Sequence, residues 1–106
     1  LLVFSGVIIW GATRASVPDD IKSKLSQDLI DRIQLGAMDT IHDCIIGCNS
    51  SEDMDTVIDQ LPNESIEKVW ESFGIFQAFL APEQIFNIAR MNEVIHIDYN
   101  SEAIVI

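Results

Sequence analysis

Basic residues are scarce in this chain: 6 Lys and Arg stand against 17 Asp and Glu in 106 residues, a net charge of −11. So lopsided a balance repels a polyanion before contact, which argues against nucleic acid and anionic membrane surfaces as partners. Cysteine is nearly absent, at Cys44 and Cys48 alone, too few for the framework of bridges that staples many small secreted domains. No apolar run reaches the roughly 20 residues that span a bilayer. Histidine occurs twice, at His42 and His96, and neither belongs to a metal-spacing or nucleophile signature. The acids are spread along the chain without a paired-carboxylate pattern, and "GIF" at Gly74 is no phosphate loop. The expectation is a protein with no metal, no cofactor and no catalytic equipment, hence not an enzyme.

What is present is apolar. Hydrophobic residues make up 48% of the chain, too many for disorder and enough for one marginal domain. Leu1 to Ala12, "LLVFSGVIIWGA", reads as the apolar region of a secretory signal, with small residues at Thr13 and Ala15 and cleavage expected after Ala15. Residues 1–15 are thus expected to be a signal segment, and the mature protein to be secreted, off the membrane and monomeric when free.

Periodic blocks follow. "VPDDIKSKLSQDLIDRIQLG" sets Ile21, Leu25, Leu29 and Ile33 at helical spacing with Gly36 as a stop, an amphipathic N-terminal helix within residues 16–38. "TIHDCIIGCN", Thr40 to Asn49, is short, β-branched and bounded by turn formers, a strand. Its cysteines are four apart, roughly 13 Å on an extended chain, beyond the roughly 7 Å a disulfide tolerates, so two buried thiols on one face are expected. "SSEDMDTVIDQLP" carries Met54, Val57, Ile58 and Leu61 as a second helix behind a serine cap. "ESIEKVWESFGIFQAFLA" holds two extended runs meeting near Gly74, Pro82 to Asn92 a third helix, and "VIHIDY" a last strand with Val94, His96 and Asp98 on one face and Ile95, Ile97 and Tyr99 on the other. Beyond the N-terminal helix the order is βαββαβ. The fold class is therefore α+β, a ferredoxin-like antiparallel sheet with two helices on one face.

The last block carries a resemblance. Ala78 and Leu80, the helix from Pro82 to Asn92, then Val94, Ile97 and Asp98, then an extended tail from Ser101 to Ile106, are similar to the propeptide of subtilisin-like serine proteases. That family includes free-standing protease inhibitors, and in it a strand with an A-x-L step, a helix, a V-x-x-I/V-acidic strand and a short tail follow in this order. "KLSQDLIDRIQLGAMDTIHDCIIGCN" resembles the region leading into the first strand of many members, so the likeness covers most of residues 20–106. The resemblance implies a propeptide-like domain over residues 39–106, acting as inhibitor, and also as folding chaperone, of a subtilisin-like serine protease. The open sheet face would pack on two protease helices, and the tail would lie in the substrate cleft as an added strand.

Carried over by position, Ile106 would enter the primary specificity pocket and Ala103 the pocket three residues upstream, with Ile104 and Val105 between. Asp98 would cap one protease helix as an anion; Asn100, neutral in this chain, stands at the second capping position. Trp70 and Phe76 are the aromatic candidates for an interface on the open sheet face. Two other readings stay open: a propeptide fragment of a longer protease precursor, and a small ferredoxin-like module that binds a ligand or its own copies.

Overall fold

The computed structural model describes residues 15–100 of the chain. A 3-10 turn, Asp19–Lys24, leads into α1, Gln27–Leu35. Then come β1, His42–Cys48; α2, Ser51–Ile58; β2, Ile66–Trp70; β3, Ile75–Leu80; α3, Pro82–Ala89; and β4, Val94–Tyr99. The four strands form one antiparallel sheet in the order β2-β3-β1-β4. This is the expected βαββαβ arrangement, an α+β fold compatible with the ferredoxin-like class.

Expected as one helix, the N-terminal segment is two pieces. All four of its spaced apolar residues are buried, but the chain breaks at Leu25 and Ser26. Leu25 forms a parallel bridge with Ile97, and the Ser26 N–H donates to the Ile97 carbonyl at 3.0 Å. The Ser26 hydroxyl then accepts from the Leu29 N–H and caps α1. A residue busy covering the outer edge of β4 cannot also continue a helix. Lys24 Nζ donating to the Met91 carbonyl at 2.8 Å, and the Arg90–Asp20 pair at 3.2 Å, tie this segment to the end of α3.

Alternation sorts the sheet into two faces. His42, Cys44, Ile46 and Cys48 of β1 are buried on the covered face, level with Leu80, Ala78 and Phe76 of β3. Met54, Val57, Ile85, Ile88, Leu29 and Ile33 close the core against them. Both cysteines are buried free thiols on that one face, as expected. The face assignment of β4 is corrected: Cys48 pairs with Val94 and Gly47 with His96, so a bulge inserts Ile95. Val94 and Ile97 are both buried as a result, while Ile95 and His96 are exposed. The other edge strand carries an irregularity too, between Ile66 and Lys68.

Candidate functional site

The uncovered face of the sheet is the candidate interface. The register places Ile45 and Gly47 of β1, Ile75 and Phe79 of β3, and Trp70 of β2 on it. Trp70 pairs with Ile75 and is half-buried, with Lys68 Nζ 5.6 Å from its ring centroid. Phe76 does not belong there. It pairs with Ile46 on the covered face and is fully buried, because its position next to Ile75 sends its side chain to the opposite side. Phe79, three residues on and therefore of opposite parity, is the aromatic that shares the open face with Trp70, and it is partly exposed.

Toward the carboxyl end of β4 the face turns polar. Asp98 lies opposite Ile45, half-buried, and its Oδ1 accepts from the Tyr99 N–H at 2.8 Å. The Asn100 N–H donates to the Asp43 carbonyl at 2.8 Å, and its Nδ2 donates to Asp43 Oδ2 at 3.1 Å. Gln77 Nε2 donates to the other oxygen, Asp43 Oδ1, at 2.9 Å. Asp43 is thus the hub of a polar row, Gln77 to Asp43 to Asn100, that fixes the end of β4 against β1. Sequence reading singled out Asn100 but not Asp43 or Gln77. The signal for Asp43 was the alternation of β1, which put it on the face opposite His42; Gln77 became visible only through the register.

Beside this row lies a groove of about 470 Å³, between the end of α1 and the start of β1, lined by Arg32, Leu35, Ile41, His42, Phe79 and Tyr99 among others. Arg32 stacks on Tyr99, its guanidinium carbon 3.7 Å from the ring centroid. His42 is buried, and among the described residues its Nε2 is the one buried side-chain nitrogen or oxygen with no hydrogen-bond partner. Burial, and secondarily the charge of Arg32, hold its pKa below the ordinary value. The same physics acts on the two thiols: burial, then neighbouring carboxylates, push Cys48 up to about 11 and Cys44 further still.

The expected protease-binding residues Ala103, Ile104, Val105 and Ile106, and residues 1–14 of the expected signal segment, lie outside the described residues. Ala15, the last residue of that segment, is buried and its N–H donates to the Gly36 carbonyl. Among the described residues no cluster of His, Cys, Asp and Glu could hold a metal ion, and no helix is long and apolar enough to cross a membrane. No family model, curated protein or solved structure matches this chain.

Proposed function

We propose that this protein is a secreted inhibitor of a subtilisin-like serine protease, docking through its uncovered sheet face and presenting the tail beyond Asn100 to the substrate cleft. The observation that carries the reading is the make-up of the uncovered sheet face. Trp70, Ile75, Ile45 and Phe79 lie on the uncovered face, with Gln77 between Ile75 and Phe79 and Asp43 opposite Phe79, and β4, whose described course leads to Asn100, is an edge strand of the same sheet. Apolar side chains left partly uncovered on a small acidic protein form a surface that gains by being covered.

The inhibitor works through preorganisation. A free peptide with the sequence of the tail would have to be ordered on binding, whereas a rigid sheet that docks alongside the cleft has met that entropic cost beforehand. Main-chain pairing then holds the strand largely regardless of sequence, and alternate side chains read the pockets. The same docked surface stabilises whatever native conformation it binds, which is the basis of a chaperone role.

The test is titration of the full chain against a panel of subtilisins, with trypsin-like proteases as controls. Active-site-directed inhibition of one or more subtilisins is expected, weakened by at least about tenfold, about 1.4 kcal/mol, on removal of the last four residues. Equal potency of the shortened chain would take the tail out of the mechanism.

A further inference from the structure

We infer that Asp43 is the positioning residue for the end of β4: its carboxylate and its main-chain carbonyl together hold Asn100, and so fix the point from which the chain continues.

The bonding at this end of the strand points to a single residue. On the outer edge of β4 the Leu25–Ser26 segment meets Ile97, and among the described residues no main-chain bond from outside the sheet reaches Asp98 or Tyr99. The Asn100 N–H donates to the Asp43 carbonyl, which makes Asn100–Asp43 a hydrogen-bonded rung and Tyr99–Cys44 a non-hydrogen-bonded one, with the Tyr99 N–H directed away from β1. That outward N–H is taken by Asp98 Oδ1 of the same strand at 2.8 Å. Arg32 meets Tyr99 at its ring. A strand end held from one side by few bonds is where local opening begins.

Asp43 supplies the hold from inside the sheet. Its carbonyl accepts the Asn100 N–H at 2.8 Å and its Oδ2 accepts from Asn100 Nδ2 at 3.1 Å. Two bonds between the same two residues fix direction as well as position. The other carboxylate oxygen, Oδ1, accepts from Gln77 Nε2 at 2.9 Å. A carboxylate can only accept, so both carboxamides must turn their NH2 ends toward it. Gln77 is itself a firm anchor: it sits on β3, an interior strand, and is 7% exposed. A buried amide without a partner is costly, so Gln77 holds the Asp43 carboxylate in one orientation, and that carboxylate holds Asn100.

The consequence for inhibition rests on the proposed function. There the ligand is the chain beyond Asn100, and the ordering cost of binding rises if the residue from which it starts is loose. Asp43 acts through Asn100 and not by touching the protease.

The experiment uses the full chain, isotope-labelled, first without protease. Asp43→Ala removes the carboxylate and leaves the carbonyl. Because it also strands Gln77, it is paired with the double variant Asp43→Ala/Gln77→Leu, which has no orphaned amide to bury. Both are expected to speed amide exchange at Asn100 at least about tenfold and to shift the Asn100 side-chain NH2 resonances. Asp43→Asn keeps an oxygen for Asn100, and the Gln77 carboxamide can turn its own oxygen to the new NH2, so exchange at Asn100 should stay within about threefold of wild type. Against a subtilisin that the wild type inhibits, the two alanine-bearing variants should weaken inhibition at least about tenfold in the full chain, and less than about twofold in a chain lacking the last four residues. Unchanged exchange at Asn100 in both alanine-bearing variants would overturn the proposal. So would Asp43→Asn proving as damaging as alanine, or an equal loss in the full and shortened chains, which would put Asp43 on the docking face itself. If the wild type inhibits no subtilisin, the inhibitor reading ends, and exchange at Asn100 alone decides whether Asp43 holds the end of β4.

Discussion

His42 concentrates the chemistry of single residues in this protein. It is buried on the covered face beside Arg32, and both burial and that charge lower its pKa in the folded state. The unfolded chain therefore takes up the proton first. The contribution of neutral His42 to stability is fully present above the ordinary value of 6.5 and is lost as pH falls through the folded value. Replacing it by leucine removes that linkage. In urea unfolding, wild type is expected to lose ground to His42→Leu between about pH 7.5 and pH 5; a constant gap between the two midpoints would refute the assignment. The thiols give a second reading at this scale. Cys44 and Cys48 are buried, and Cys48 is pushed up to about 11, so both should be silent to a thiol reagent at mildly alkaline pH and react together once urea unfolds the chain. Rapid reaction of either in the native protein would show that β1 opens.

At the scale of elements, caps and irregularities decide where each piece stops. Ser26 caps α1 and Ser50 caps α2 through Leu29 and Asp53 amides. The 3-10 turn Glu71–Phe73 between β2 and β3 closes on Gly74, whose φ of 66° is left-handed. Cβ at that position would also come within 3.1 Å of the Ser50 backbone. Gly74→Ala is thus expected to lose about 1–2 kcal/mol from backbone strain alone, and more from the contact, since main chain cannot rotate away. Chemical denaturation measures it, and a change under about 0.5 kcal/mol, the range of ordinary surface substitutions, would mean the turn relaxes. The bulges at Ile95 and near Glu67 belong to the same scale. They twist the two edge strands, which discourages pairing with a second sheet.

Over the whole molecule the sheet is asymmetric, and the asymmetry separates folding from binding. Phe76 and Phe79 are three residues apart on one strand and lie on opposite sides. Phe76→Ala should cost about 3–5 kcal/mol, because it opens a cavity in the core. Phe79→Ser should change the urea midpoint little, yet weaken binding to the protease of the proposed reading by at least about tenfold. Equal damage to stability from both would mean that the two faces are not distinct; undiminished binding by Phe79→Ser would move the interface elsewhere.

Much of this architecture is written locally. Spaced apolar residues, serine caps and a glycine stop are short-range signals, and they were enough for the element order, the βαββαβ class and the pair of buried thiols, because each is settled within a turn or a strand. What spacing could not decide was which side of the sheet each side chain meets. Phe76 fell on the covered face instead of the open one, Val94 joined Ile97 instead of His96, and Leu25 left its helix to cover β4. Asp43 and Gln77 became partners across two strands. Side-chain direction in a strand reverses with every residue, so one bulge or one extra turn residue inverts all that follows. Parity is therefore fixed only when strands find their partners, and the candidate interface, which is a matter of parity, was decided by the tertiary structure.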